Sequence, residues 1–123
     1  MFTNTKAFSG FAVDDVEKAR DFYRDTLGLD TSVEHGILTL NIAGDRPTIV
    51  YPKPDHVPAG YTILNFPVDD IEAAVDELTA RGVVFLRYDG FDQDDRAIFR
   101  GGGPLIAWFA DPAGNVLSVI KVD

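Results

Sequence analysis

The residue types that most often carry chemistry are scarce in this chain of 123 residues. It has two histidines, His35 and His56, and no cysteine. The lack of cysteine excludes disulfides, thiolate nucleophiles and cysteine-ligated zinc. His35 precedes Gly36 and His56 lies in a proline-rich segment, so we expect both in turns or solvated loops. As a general base, His35 would need an orienting partner, and the sequence indicates none.

Two further patterns could carry chemistry but have simpler structural interpretations. Ser118 could be a nucleophile, yet no G-x-S-x-G elbow surrounds it, and we interpret it as a small polar wall residue. The run Gly101–Gly103 is reminiscent of a phosphate loop, but Pro104 and a strand pattern follow it where a lysine and a helix are needed. We therefore expect this run to form a plain loop or a flexible lip over a cavity.

Two stretches of the chain repeat each other: "FAVDDVEKARDFY" begins at Phe11 and "FPVDDIEAAVDEL" begins at Phe66. Each copy starts with alternating apolar residues, which is typical of a strand, and continues with helical spacing. The pairs Asp14–Asp15 and Asp69–Asp70 stand where strand gives way to helix. A carboxylate there accepts hydrogen bonds from free backbone N–H groups, so we expect helix caps and not catalytic acids. A duplicated supersecondary unit is the simplest cause of the repeat.

The spacing predicts a strand, a helix and three more strands in each copy, with helix stops at Gly28 and Gly82. The later strands are predicted at Thr31–His35, Ile37–Ile42, Thr48–Pro52, Val83–Tyr88, Leu105–Ala110 and Val116–Lys121. The predicted fold class is α+β, with two tandem βαβββ modules at about residues 6–52 and 61–121 and a linker at 53–60. We expect one domain over residues 1–123, in which one cupped mixed sheet carries the helices on its convex face.

The formal net charge of −9 limits the partners of the chain. An acidic protein without a Lys/Arg cluster repels phosphate backbones, so we expect no nucleic-acid partner. The charge either favours a cationic ligand or serves solubility alone. The apolar runs are only strand-sized, so no membrane span is expected. No apolar segment follows the N-terminal charge, so we expect no secretory signal and a cytoplasmic location.

The chain resembles the vicinal oxygen chelate superfamily, which includes glyoxalases, extradiol dioxygenases, fosfomycin-resistance enzymes and bleomycin-resistance proteins. The resemblance rests on "FAVDDVEKARDFYRDTLGL" (Phe11–Leu29), "FPVDDIEAAVDELTARGV" (Phe66–Val83) and "AWFADPAGNVLSVI" (Ala107–Ile120). These motifs cover essentially the whole chain and are typical of the glyoxalase/bleomycin-resistance/dioxygenase fold, not of one activity. The resemblance also implies a homodimer.

The metal enzymes of this superfamily carry their ligands at four strand positions. By resemblance, these positions fall on Phe8, on Ile49 or its neighbour Val50, on Ile63 and on Ser118. The hydrocarbon side chains offer no donor atom, and one serine hydroxyl is too weak a ligand to hold a divalent metal. The resemblance therefore implies neither a metal nor another cofactor, and it argues against the isomerase, dioxygenase and thiol-transferase chemistries that need one.

Small-molecule sites combine apolar walls with a few polar groups, and we expect such a site in the hollow of this fold. The predicted ligand-binding residues are Phe8, Thr39, Asn41, Tyr51, Tyr61, Ile63, Asn65, Trp108 and Ser118. The direction in which Trp108 points stays open. The resulting hypothesis is a metal-independent, non-enzymatic protein similar to bleomycin-resistance proteins, which sequesters an aromatic and, given the charge, cationic small molecule.

Two alternatives stay open at this point. One is a glyoxalase-like lyase or isomerase that uses His35, Asp95 or Arg100 as acid, base or anion anchor. A titratable group in the cavity with an oriented partner would favour it. The other is a structural or regulatory domain whose groove binds a peptide, and a long exposed apolar patch would favour that. The sequence names neither the ligand nor the pathway.

Overall fold

The computed structural model describes residues 1–122. The chain forms two compact units, one at Met1–Val57 and one that begins at Pro58. The first contains β1 (Gly10–Val13), α1 (Val16–Asp21) with a π-helical continuation (Phe22–Thr26), β2 (Asp30–Glu34), β3 (Ile37–Asn41) and β4 (Thr48–Pro52). The second contains β5 (Thr62–Val68), α2 (Ile71–Ala80), β6 (Ile106–Ala110) and β7 (Val116–Lys121). This content confirms the predicted α+β class.

The strands form two hydrogen-bonded sheets, where the sequence predicted one. The sheet of the first unit has the order β1-β4-β3-β2, and that of the second unit has the order β5-β7-β6. In each sheet the strand before the helix pairs in parallel with the last strand of the unit, and the other neighbours are antiparallel. Both sheets are therefore mixed, as predicted, and the repeat in sequence is also a repeat in topology.

Aspartate caps begin both helices, as the sequence predicted. The Asp15 carboxylate accepts two backbone N–H groups of the first turn at 3.1 Å, and the Asp70 carboxylate accepts the N–H of Ala73 at 3.0 Å. Gly28 and Gly82 follow the helical segments with φ of 73° and 94°, a conformation that glycine adopts without steric cost. No helix in residues 1–122 is long and apolar enough to cross a membrane.

Each sheet buries one face against the helix of its own unit. In the first unit, Leu38, Leu40 and Val50 are fully buried and alternate with more accessible residues along β3 and β4. In the second unit, Phe109 and Leu117 are fully buried on the face that packs on α2. Burial of each such side chain contributes about 1.5–3 kcal/mol, so the period-two pattern fixes which strand residues are left to form a site.

The prediction of a strand at Val83–Tyr88 is wrong. In this segment Phe85 makes only an isolated bridge to β6. The backbone N–H of Tyr88 and the C=O of Leu86 are hydrogen-bonded to the side-chain amide of Gln93, at 2.8 and 2.9 Å. A side chain thus satisfies backbone groups that a further strand would otherwise pair, and the chain continues into a long loop without regular secondary structure.

Candidate functional site

A pocket lined by aromatic rings opens within the second unit, and we call it the aromatic pocket. Its volume is about 320 Å³, within the range of small-molecule sites. The lining side chains are those of Tyr61, Thr62, Tyr88, Phe91, Trp108 and Val116. None of these residues is Asp, Glu, His, Lys or Arg. Tyr61 is 72% exposed and Phe91 is 48% exposed, so rings at the mouth of the pocket are accessible to a ligand.

Four rings of the second unit form one connected cluster. The Trp108 ring lies 5.4 Å from Tyr88, 5.6 Å from Phe91 and 6.0 Å from Phe99, measured between ring centroids. The pairs are tilted or edge-on, the arrangements that the ring quadrupole favours. The rings therefore support one another as one continuous wall of the pocket.

A tight turn brings Tyr88 and Phe91 together. The N–H of Phe91 donates to the C=O of Tyr88 at 3.2 Å, and Gly90 has a φ of 83° that an L side chain would strain. The two rings then lie 5.4 Å apart. Sequence reasoning missed Tyr88 and Phe91 as wall residues. The signal that could have found them is the Asp89-Gly90 dipeptide, a turn former with an aromatic residue on each side.

The sheet register fixes the direction of Trp108. Trp108 pairs with Ser118, and Ser118 pairs with Asn65, so the three residues form one row across β6, β7 and β5. Their neighbours Phe109 and Leu117 occupy the opposite, helix-covered face. The Ser118 hydroxyl is fully buried and donates to the Asn65 Oδ1 at 2.5 Å. This bond holds the Asn65 amide with its NH₂ group turned away from Ser118.

The other predicted ligand-binding residues divide by location. Tyr61 and Trp108 line the aromatic pocket, whereas Ile63 lies where the register of β5 shifts. In the first unit, Thr39 and Asn41 alternate with the buried leucines of β3, as predicted, and Tyr51 on β4 is partly exposed. Phe8 is exposed and precedes β1. The role of these residues in ligand binding stays a prediction.

Ion pairs connect the loop that carries the rings to helix α2. Arg100 donates to Asp94 at 2.7 Å and to Glu72 at 3.0 Å, and Arg96 donates to Asp76 at 2.9 Å. Burial alone would raise the pKa of Asp94, but hydrogen bonds from Arg100 and from two backbone N–H groups outweigh it and lower the pKa. Arg100, the anion anchor of the enzyme alternative, is thus already engaged by two carboxylates.

His35 forms a turn with Gly36 between β2 and β3, as predicted. It is exposed, and its φ of 53° is followed by 77° at Gly36. Positive φ at both central residues is the signature of a two-residue hairpin turn. The turn interpretation of His35 is therefore confirmed.

The four positions that the resemblance assigns to metal ligands offer no ligand set in this chain. Phe8, Ile49 or its neighbour Val50, and Ile63 have no side-chain donor atom, and the Ser118 hydroxyl already donates to Asn65. In residues 1–122, no three His, Cys, Asp or Glu side chains gather closely enough to hold a metal ion. The donor set present does not fit the group that the fold family uses.

Known proteins that are similar to this chain belong to one superfamily. The family model described as Glyoxalase/Bleomycin resistance protein/Dioxygenase superfamily matches residues 7–119. TnmS3, an antibiotic-binding protein from a Streptomyces species, is 27% identical, with a TM-score of 0.66 over 95% of this chain and 96% of that one. A member of the superfamily from Sphaerobacter thermophilus is 26% identical, with a TM-score of 0.68 over 94% and 96%.

A more distant structure shares the fold alone. The fosfomycin resistance protein FosX from Mesorhizobium loti is 12% identical, with a TM-score of 0.65 over 95% of this chain and 91% of that one. None of the curated proteins compared matches this chain. The family match spans nearly the whole sequence and confirms the resemblance drawn from the repeated motifs. The chain belongs to the glyoxalase/bleomycin resistance protein/dioxygenase superfamily.

Proposed function

We propose that this protein binds and sequesters an aromatic small molecule, without a metal ion, in the aromatic pocket. The observation that carries the proposal is the wall formed by Tyr61, Tyr88, Phe91 and Trp108 around about 320 Å³ of space. Aromatic faces and edges bind planar ligands by stacking and by burial of apolar area. Such a wall supplies binding energy, and it contains no Asp, Glu, His, Cys, Lys or Ser side chain.

Two further observations support this function. TnmS3, an antibiotic-binding protein, is similar to this chain over nearly the full length of both proteins. The positions that the resemblance assigns to metal ligands carry Phe8, Ile49 or its neighbour Val50, Ile63 and Ser118 here, a set that argues against the metal-dependent reactions. We also propose that it acts as a single domain, as its length of 123 residues indicates, as a homodimer, as the resemblance implies, and in the cytoplasm.

The charge of the protein favours a cationic ligand. The formal net charge is −9, and an acidic field raises the local concentration of cations. The negative faces of the rings add cation–π attraction for a positive charge held above them. A planar aromatic cation should therefore bind more tightly than a planar aromatic anion of the same size. Phe8, Thr39, Asn41, Tyr51, Ile63, Asn65 and Ser118 do not line the aromatic pocket, and their role in ligand binding stays a separate prediction.

The fluorescence of Trp108 reports ligand binding in the pocket, because Trp108 is the only tryptophan in the chain and lines the pocket. Proflavine, a tricyclic cation, and anthracene carboxylate, a tricyclic anion, are suitable matched probes. We expect saturable quenching of Trp108 fluorescence by proflavine and a higher dissociation constant for the anion. A hundredfold excess of probe over its dissociation constant should stabilise the fold by about 2.7 kcal/mol. Absence of saturable quenching and of a melting-temperature shift with both probes would contradict the proposal.

A pair of matched variants locates the bound probe. Phe91→Ala removes one ring of the pocket wall, whereas Phe2→Ala removes a ring that is 74% exposed near the N-terminus of the first unit. We expect Phe91→Ala to weaken proflavine binding roughly tenfold, since stacking on one aromatic side chain is worth about 1–3 kcal/mol. Phe2→Ala should leave the affinity unchanged. Equal affinities in both variants would place the probe outside the aromatic pocket.

A further inference from the structure

The side chain of Gln93 is hydrogen-bonded at both ends within the ring-bearing loop. Its Oε1 accepts the backbone N–H of Tyr88 at 2.8 Å. Its Nε2 donates to the C=O of Leu86 at 2.9 Å and to the C=O of Ala97 at 2.9 Å. The two bonds that Nε2 donates are partly buried, whereas the bond that Oε1 accepts is exposed. One amide thus joins the segment before the Asp89-Gly90 turn to the segment that returns from it.

Three of the four clustered rings belong to residues in the two loop segments that the Gln93 amide joins. Tyr88 is bonded to it directly, Phe91 lies two residues before it, and Phe99 forms a β-bridge with Gln93 itself. These rings contact Trp108 at centroid distances of 5.4 to 6.0 Å. Loss of the Gln93 hydrogen bonds should therefore displace these rings more than it displaces the strands of the second sheet.

Gln93 also supports a strained residue. Ala97 is almost fully buried and has a φ of 63°, a conformation that costs a non-glycine residue energy and persists only where its surroundings enforce it. Its C=O accepts from Gln93 and its N–H donates to the C=O of Asp94 at 2.9 Å. The Gln93 amide thus adds to the hydrogen bonds that hold the return of the loop, such as the 2.9 Å bond from the N–H of Asp94 to the C=O of Ile98.

From this geometry we infer that Gln93 is a positioning residue of the aromatic pocket, which fixes Tyr88, Phe91 and Phe99 in a binding-ready arrangement around Trp108. The inference rests on the proposed function for its biological meaning. Gln93 is not among the residues that line the aromatic pocket, so it acts through the rings. A pocket that is held in place before binding loses less conformational entropy when a ligand enters.

Substitution of Gln93 tests the inference with and without a ligand. Gln93→Met keeps the length of the side chain and removes all three hydrogen bonds. The matched control is Arg96→Met, which breaks the 2.9 Å ion pair with Asp76 on the outer side of the same loop. In the free protein we expect Gln93→Met to shift the Trp108 emission to longer wavelength, because a loosened wall admits water. Arg96→Met should keep the wild-type emission.

The same variants are then titrated with proflavine. We expect the dissociation constant of Gln93→Met to rise roughly tenfold and that of Arg96→Met to stay close to wild type. Melting temperatures show whether a similar loss of stability in the two variants leads to different affinities. If Gln93→Met does not fold, Gln93→Glu takes its place, because it keeps the acceptor for Tyr88 and loses both donors.

The outcomes separate this inference from the proposed function. Wild-type emission and affinity in a folded Gln93 variant would overturn the positioning role and leave the pocket's function intact. Failure of the wild-type protein to bind proflavine would count against the proposed function. In that case the emission of the free variants still decides whether Gln93 positions the rings.

Discussion

The two units of this protein begin with nearly the same residues and diverge after the helix. In the first unit the chain enters β2 (Asp30–Glu34), which pairs with β3 along its whole length as the fourth strand of the sheet. In the second unit the corresponding segment, Val83–Tyr88, makes one isolated bridge and turns into the ring-bearing loop. The aromatic pocket lies in the unit that lacks the fourth regular strand.

The physical difference lies in how backbone groups are satisfied. Buried or half-buried N–H and C=O groups must find partners in either unit. The β2 backbone finds them in β3, through a regular ladder that leaves little choice of side-chain position. The Val83–Tyr88 backbone finds two of them in the Gln93 side chain. The Gln93 side chain takes two hydrogen bonds that a neighbouring strand would otherwise make. The loop can therefore leave the sheet and place several aromatic rings close together.

Truncation of core side chains should cost the most stability, and it tests whether each unit depends on its own core. Phe109 and Leu38 are both fully buried, one in each unit. Replacement by alanine should cost about 4 kcal/mol for Phe109→Ala and about 3 kcal/mol for Leu38→Ala, as for other large-to-small core changes. Denaturation in urea measures both losses. Val84→Ala, at a residue that is 81% exposed, should change the stability by less than about 0.5 kcal/mol. A loss of about that size for Phe109→Ala would contradict the described packing.

Two glycine substitutions, one in each unit, test whether the pocket depends on the second unit alone. A Cβ at Gly101 would lie 2.7 Å from the Phe99 ring, and a Cβ at Gly10 would lie 2.7 Å from the Ile49 Cγ1. Each alanine variant should lose about 1–3 kcal/mol of stability, since the neighbour has to move. Gly101→Ala should also weaken proflavine binding, because Phe99 supports the ring cluster. Gly10→Ala should leave proflavine binding unchanged, and a weaker affinity there would show that the pocket is not a property of the second unit.

The helix caps offer a smaller and graded test. The Asp15 carboxylate accepts two backbone N–H groups and the Asp70 carboxylate accepts one. Loss of an N-cap costs about 1 kcal/mol, and we expect Asp15→Ala to cost more than Asp70→Ala in thermal unfolding. Asp14→Ala and Asp69→Ala are the matched controls, because these residues precede the cap in the same pairs. A larger loss in either control would mean that the helices begin one residue earlier.

The smallest expected effect is a loss of stability in acid. A hydrogen bond from Arg96 lowers the pKa of Asp76, and a hydrogen bond from Arg24 lowers the pKa of Asp25 in the first unit. Carboxylates with a lowered pKa in the folded state stabilise it above their ordinary value of 3.8. That contribution is lost as the pH falls through the lower folded-state pKa. Arg96→Met and Arg24→Met should each flatten part of this acid dependence, measured as melting temperature against pH. An unchanged profile would show that the exposed pairs do not persist in solution.

The sequence predicts most of the regular structure because local patterns determine it. Alternating residues place Leu38 and Leu40 on one face of β3 and Thr39 on the other, and a capping aspartate begins each helix. These features depend on neighbours a few residues apart. The π-helical turn at Phe22–Thr26 was not predicted, since apolar spacing does not distinguish it from an α-helix.

The candidate site is predicted less completely, because it depends on contacts between distant residues. Tyr61 and Trp108 follow from alternation and aromatic content, but the direction of Trp108 depends on its pairing with Ser118. The segment Val83–Tyr88 reads as a strand in sequence because it is rich in β-branched and aromatic residues. Only the structure shows that the Gln93 amide takes up its hydrogen bonds.

Binding in the aromatic pocket is tested most directly by locating a bound probe by NMR in isotope-labelled protein. We predict that proflavine moves the indole N–H signal of Trp108 and the backbone N–H signals of Tyr61, Tyr88 and Phe91 more than any others. These signals belong to the residues that line the aromatic pocket. If saturating proflavine leaves them in place, or moves only signals of the first unit, the aromatic pocket is not the binding site.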